Sequence, residues 1–412
     1  MKKVLVSIFT ITVIGFFISC SSDDNGTIIP TDDGDQTVDT KLTGQITSDK
    51  TLTNDVIWEI EGRVTVTNGA TLTIEAGTII KAFAGSGANA STLIIARDAK
   101  IMANGTANSP IIFTSVADNI QIGQTAGGNL TENDRGLWGG LIILGNAKIS
   151  VDGNASESQI EGIPASDANG LYGGSDNADN SGVVNYVSIR HGGAEIGEGN
   201  EINGLTLGGV GSGTSISNVE VVGNVDDGIE FFGGSVNVSN ALVWAHGDDG
   251  LDIDQAYSGT VSNSVVIEGD ISDHALEIDG PEGVLEGSFT LDGITLIGNL
   301  TTENGEYADF RSGAMGTIKN IYARGFKESS DVELDNDGIA TNYNEGKLVF
   351  GIWQIVLPEG VTDVHNIFVN KAENVTVEGF GDNAEAVTEG NETVGANLSD
   401  FSWTYASFKG AL

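Results

Sequence analysis

Carboxylates recur at regular intervals through the middle of this chain. Leu251-Asp252-Ile253-Asp254 is preceded by Ile229-Glu230-Phe231-Phe232. It is followed by Leu276-Glu277-Ile278-Asp279, Ala308-Asp309-Phe310-Arg311 and Val332-Glu333-Leu334-Asp335. The segments start at 229, 251, 276, 308 and 332, in steps of 22, 25, 32 and 24 residues. The turns before them add Asp226-Asp227-Gly228, then His246-Gly247-Asp248-Asp249-Gly250, then Ser272-Asp273-His274. Three kinds of chemistry fit this pattern. Clustered carboxylates with main-chain oxygens suit Ca²⁺, which takes about six to eight oxygen ligands; Asp226, Asp227, Asp248, Asp249 and Asp273 are the candidate metal ligands. Added imidazoles shift the preference toward a transition metal. Paired carboxylates beside a histidine also suit the acid and base steps of glycoside hydrolysis, with Asp226, Asp248, Asp249 and His246 in those roles. The third reading is a solvated acidic face without specific chemistry. The residues alone leave all three open.

Strand alternation decides where these side chains point. Successive side chains in a strand face opposite ways. If Leu251 and Ile253 face an interior, Asp252 and Asp254 face out. Stacking the repeats then builds one outer column from Glu230, Asp252, Glu277, Asp309 and Glu333. A neighbouring column holds Phe232, Asp254, Asp279, Arg311 and Asp335. The candidate ligand-binding residues are Asp252, Asp254, His274, Glu277, Asp279 and Arg311. In the turns, Asp226, Asp248 and Asp273 should stack, as should Asp227, Asp249 and His274. Strands lie about 4.8 Å apart. Like charges at that spacing repel by about 0.9 kcal/mol in water and roughly 3–4 kcal/mol at an effective dielectric of about 20. Something must offset such a column.

The elements that hold the columns are short. Val64-Thr65-Val66-Thr67, Thr71-Leu72-Thr73-Ile74 and Leu93-Ile94-Ile95-Ala96 are β-branched runs separated by Gly, Asn and Asp, with no helical periodicity. A second register runs in phase with the first: Asn185, Asn218, Asn240, Asn263 and Asn320 each open a strand, with Gly293 in that place once. Two strands per repeat is how a solenoid coil reads, and an asparagine once per coil can bond amide to amide along the stack. The fold expected is all-β: a single right-handed parallel β-helix over residues 41–385, with 386–412 as a C-terminal cap. Residues 116–136 and 153–184 are weakly patterned and read as projecting loops. Trp138 and Trp244 are either sugar-stacking platforms or core residues. His365 sits in a strand-like run and reads as structural.

These repeats and the asparagine register resemble the pectin-lyase-like right-handed β-helix superfamily. Within it, Leu42-Thr43-Gly44, Gly69-Ala70-Thr71-Leu72-Thr73-Ile74, Gly136-Leu137-Trp138-Gly139-Gly140 and Trp403-Thr404 resemble β-helical outer-membrane lipoproteins of Bacteroidota and spirochaetes, related to a leptospiral lipoprotein. That resemblance implies fold and location more than an activity. Hydrolases of the polygalacturonase type place aspartates and a histidine on one face, but their basic Arg-x-Lys segment is not present here as such.

The N-terminus agrees with that location. Lys2 and Lys3 precede an apolar run ending in Phe17-Ile18-Ser19-Cys20. The run is too short for a stable span and reads as a signal peptide, residues 1–19. The tetrapeptide resembles a lipobox, with Phe17 where Leu is usual, so Cys20 is the expected lipidation site. Residues 20–40 read as an acidic tether, and Ser21-Ser22-Asp23-Asp24-Asn25 resembles a surface-export signal. The expected location is the outer membrane, lipid-anchored and facing out. Cys20 is the only cysteine, which leaves no disulfide. Without Lys2 and Lys3, 16 basic residues face 58 acidic ones, a balance of −42. That balance argues against nucleic acid and anionic lipid as partners. A glycan or an outer-membrane receptor is the expected partner, with Ca²⁺ the expected ion. The sequence sets no oligomeric state.

Overall fold

The computed structural model describes residues 39–195, 202–311 and 313–412. Cys20, the leader and nearly all of the tether lie outside them. Thr40–Leu412 is one compact unit. It is the right-handed parallel β-helix that the repeats imply. An eleven-stranded sheet collects the short strands, from Gln45–Ile46 through Leu205–Gly208, Ile229–Phe232, Leu251–Asp254, Leu276–Ile278, Ala308–Phe310 and Val332–Leu334 to Phe368–Asn370. A seventeen-stranded sheet collects the longer ones, among them Gly182–Arg190, Ser215–Val222, Asn237–Trp244, Thr260–Ile267 and Phe289–Ile297. Pairing between coils is parallel and unshifted along the acidic repeats: Ile229 lies beside Leu251, and Leu251 beside Leu276. Ile229, Phe231, Leu251, Ile253, Leu276 and Ile278 therefore enter one continuous core. Burying each such side chain contributes roughly 1.5–3 kcal/mol, the main term available to a chain without disulfides.

Asn320 opens the strand Ile321–Arg324 as expected, but the other asparagines lie within strands that continue through them. Asn218, Asn240, Asn263 and Asn320 have φ of 51°, 55°, 46° and 58°, and Gly293 has 73°. This left-handed conformation suits Gly and Asn. Asn218, Asn240 and Asn263 each lie inside a single long strand. In Gly182–Arg190 the bend falls on Tyr186, φ 49°, while Asn185 supplies the amide. The ladder itself is present. Each Nδ2 donates to the Oδ1 one coil earlier: Asn185 to Asn104 at 2.9 Å, Asn218 to Asn185 at 2.8 Å, Asn240 to Asn218 at 3.0 Å and Asn263 to Asn240 at 2.7 Å. At Gly293 the rung is kept by Asp292, which accepts from Asn320 at 2.7 Å.

The two irregular segments lie flat on the helix instead of projecting, because each carries apolar side chains to bury. In the first, Ile120 packs on Ile79 and Ile112. In the second, Ile160, Ile163 and Tyr172 pack with Ile149 and Val151 on Ile94, Ile142, Leu144 and Phe232. Its strands Ser158–Gln159 and Leu171–Tyr172 form a small antiparallel hairpin. The expected C-terminal cap also needs correction. The last coil carries an aromatic cluster of Tyr343, Phe350, Trp353, Phe368 and Phe380. The final residues instead turn back along the outside of the long-strand sheet, where Phe401 and Tyr405 bury against Leu242, Trp244 and Ile267.

Candidate functional site

The register builds the outer columns as stacking requires. Thr206, Glu230, Asp252, Glu277, Asp309 and Glu333 are consecutive partners across the short-strand sheet. Asp254 follows Phe232 in the neighbouring column. Asp279, Arg311 and Asp335 continue it, each donating its amide to the previous rung. The turns make a third column. Asp249 N donates to Asp227 Oδ1 at 3.0 Å, and His274 N donates to Asp249 Oδ1 at 2.9 Å. His274 in turn forms an isolated parallel backbone bridge with Glu306. These side chains leave the core, and those of the first column stay largely out of water. Glu230, Asp252, Glu277, Asp309 and Glu333 are at most 8% exposed, and Asp249 is 1% exposed. The column of Glu230, Asp252, Glu277, Asp309 and Glu333 is therefore buried, while Asp248 and Asp335 beside it are exposed.

Direct ion pairs are concentrated on one half of this face, although the charge of Arg311 is also felt by Asp252 and Asp254. In the lower half Arg311 contacts Glu277, and its Nε lies 3.3 Å from Asp279 and 3.6 Å from Asp309. Lys371 contacts Glu333. His274 Nδ1 lies 2.8 Å from Asp249 Oδ1. Burial alone would lower the His274 pKa. The hydrogen bond to Asp249 and the charges of Asp249, Asp273 and Asp309 outweigh it and raise it to about 9. His274 is thus a cation at neutral pH. In the upper half, no salt bridge among the described residues reaches Asp227, Glu230, Asp252 or Asp254. Burial first, and then mutual repulsion, hold Asp227, Glu230 and Asp252 well above the usual carboxylate range. The same causes carry Asp254 to about 7 and Asp248 to about 6.

A family model for a pectate-lyase-like β-helix domain matches residues 44–406. The chain belongs to this family. Comparison with curated proteins and with solved structures found no match. Membership covers nearly the whole β-helix, including the returning C-terminal segment, and it carries the fold.

Within this family fold the candidate residues sort into groups. Donor atoms of Asp226, Asp227 and Asp248 lie within 4.8 Å of one another, as do those of Asp227, Glu230 and Asp252. Asp249 groups with His274 and Glu277, and Glu306 with Asp331 and Glu333, by the same measure. Asp273 stacks on Asp248 through its amide, at 2.8 Å, but joins no such group. His246 is buried, and its Nδ1 lies 3.0 Å from the Asp248 carbonyl oxygen. Burial lowers its pKa to about 4, so at neutral pH it has no proton to act as imidazolium acid. His191 is also buried, held by the Asp134 carbonyl at 2.6 Å and next to Tyr405. Of these histidines only His274 meets the acidic face. Both tryptophans are buried: Trp138 donates to the Arg190 carbonyl at 2.7 Å, and Trp244 lies beneath Tyr405. Neither is a sugar platform. His365 lies in a 3-10 turn, Val364–Ile367, and is exposed.

Three contributors were missed. Asn203 is buried; its Nδ2 donates to Glu230, and to Glu161 at 3.3 Å, while its Oδ1 has no hydrogen-bond partner. Asn203 stands two residues before Leu205, the place that Asp227 holds before Ile229 and Asp249 before Leu251. That offset was a usable signal. Glu230 was visible in its column but not singled out. Lys371 had no signal, since only coil stacking brings it to Glu333. On the far side of the upper half, Tyr172 donates to Gln255 at 2.9 Å and Gln255 to Glu282 at 3.3 Å, which ties the inserted hairpin to the face.

Proposed function

We propose that this is a surface-displayed, lipid-anchored binding or adhesion protein that captures a glycan or nutrient ligand with the help of a divalent cation. The observation that carries the reading is the upper half of the acidic face, whose buried carboxylates have no salt-bridge partner among the described residues. Asp227, Glu230 and Asp252 bring three carboxylates together without a salt bridge among the described residues. Asp252 Oδ1 and Asn203 Oδ1 are buried without hydrogen-bond partners. Leaving such groups unsatisfied is costly. An all-oxygen donor set suits a hard ion such as Ca²⁺ better than a transition metal. Bound there, the ion would supply positive charge and open positions for hydroxyl or carboxylate oxygens of a ligand. Asp226 and Asp248 would border it on the turn side. Cys20 and the sequence after it support anchoring at the outer membrane in the manner of Bacteroidota lipoproteins. A receptor in that membrane is the natural partner for a capture protein.

Adding Ca²⁺ to chelator-treated protein at pH 8 should raise its melting temperature. At about a hundredfold excess over Kd the gain is about 2.7 kcal/mol. No shift at millimolar Ca²⁺ would sink the cation reading. A glycoside hydrolase is the second reading. It is favoured by Asp248 at about 6 and Asp254 at about 7, values that suit a general acid. Any polysaccharide cleavage should then be lost in Asp248→Asn or Asp254→Asn, and unchanged rates would remove both from catalysis.

A further inference from the structure

The outward column of the long-strand sheet runs Ser188, Glu220, Leu242, Val265, Thr295, Tyr322 and Gln354, in register from coil to coil. The C-terminal segment runs back along it in the opposite direction. Thr393 N donates to Gln354 Oε1 at 2.6 Å, and Ala396 N to Thr295 Oγ1 at 2.9 Å. One coil on, Asn397 N donates to Asn263 Oδ1 at 2.6 Å. Phe401 is fully buried in a patch with Leu242, Val265, Ile267 and Ile297. Tyr405 N and Ala406 N then close on the two oxygens of Glu220, at 3.0 and 2.8 Å. The Tyr405 ring covers the Arg190 guanidinium at 4.5 Å, and its hydroxyl donates to the Leu130 carbonyl at 3.1 Å.

Glu220 and Arg190 explain how the segment is held. Both point away from the core, yet they are 0% and 1% exposed. Arg190 Nε donates to Ser188 Oγ at 2.7 Å, and Ser188 Oγ donates to Glu220 at 2.5 Å. Arg190 also reaches the Thr125 carbonyl at 2.8 Å. The bonds to Glu220 Oε1 and the ring over Arg190 come from the returning segment. Without that segment a charged pair and an apolar stripe would lie open on the sheet. A plain solenoid joins each coil only to its neighbours, so it can open from an end. We propose that residues 393–406 are a longitudinal clamp that fastens seven successive rungs, from the coil of Gln354 to that of Ser188, so that they open together.

Hydrogen exchange on the unaltered protein tests this first. The amides of Ala396, Asn397, Tyr405 and Ala406 should exchange at the same opening free energy as the rungs Ser215–Val222 and Phe289–Ile297. Clamp amides exchanging at least about a hundredfold faster than those rungs would overturn the proposal. In the full chain carrying Phe401→Ala with Glu220→Gln, protection of Phe289–Ile297 should fall at least about tenfold more than that of Thr71–Ile74, which the clamp does not touch. Equal loss in both strands, or none, would also overturn it. If the double variant does not fold, Tyr405→Phe deletes only the bond to Leu130; it should speed exchange of the clamp amides and leave Thr71–Ile74 unchanged, and no change in the clamp amides contradicts the account.

Discussion

The two halves of the acidic face share one architecture and differ in how charge is handled. From His274 down, the chain supplies its own cations: His274 beside Asp249, Arg311 among Glu277, Asp279 and Asp309, and Lys371 on Glu333. To Asp227, Glu230, Asp252 and Asp254 it supplies none by salt bridge among the described residues, although the first three are as deeply buried as Glu277 and Asp309. The same strand geometry therefore gives one region that carries cations of its own and one whose carboxylates have no salt-bridge partner among the described residues. The lesson is that a carboxylate column is not itself a site. A site is where the column is left without its counter-charge.

Breaking the lower half should have the largest effect. Arg311→Ala leaves Glu277 and Asp309 buried without their guanidinium. We expect a loss of about 2–3 kcal/mol by chemical denaturation, reduced from the usual cost of a broken buried pair because Arg311 is partly exposed. The variant should regain part of that loss with Ca²⁺, since it makes the lower half resemble the upper. Loss without any ion response would break the comparison.

Asp252→Asn acts on the upper half with the opposite sign. Without ions it should gain about 1 kcal/mol, because one buried like charge is gone. It should also bind Ca²⁺ at least tenfold more weakly, about 1.4 kcal/mol, by calorimetric titration. A variant that is less stable without ions and equally tight with them contradicts the assignment.

Acidity sharpens the contrast further. Asp254, at about 7 when folded, holds a proton between that pH and its unfolded value that the unfolded chain has lost. Lowering pH from 8 to 6.5 should therefore stabilise the ion-free protein. His274, at about 9 when folded, stabilises fully below its unfolded value near 6.5 and loses the effect as pH rises through 9. Both trends point the same way, and buried His246 opposes them only below its unfolded value near 6.5, so ion-free melting temperature should fall from pH 6.5 to 9. Its Ca²⁺-induced rise should be largest at the alkaline end. His274→Gln should cost about 1 kcal/mol at pH 6 and little above pH 9. A constant difference across that range would remove the imidazolium from the account.

Much of this was legible in the sequence because a solenoid repeats its physics. Strand alternation placed Leu251 and Ile253 inward and Asp252 outward. The asparagine phase foretold an amide ladder, although its bending role at φ near 50° depends on strands that continue through it. Contacts that span coils were not legible. Ala406 meets Glu220 across 186 residues, and nothing local in either segment announces it. Which carboxylates find a cation is equally non-local, since Lys371 reaches Glu333 only once its coil is stacked. The proposed site lies in that gap, and Asn203 went unnoticed because its own coil carries Thr206 in place of an acid.

The most direct test is a crystal structure grown with millimolar Ca²⁺ at pH 8. The account predicts an ion between Asp227, Glu230 and Asp252, with carboxylate oxygens at about 2.3–2.6 Å, and no ion beside Arg311. An empty upper half at full occupancy of the protein, or an ion only beside Glu277 and Asp309, would contradict it.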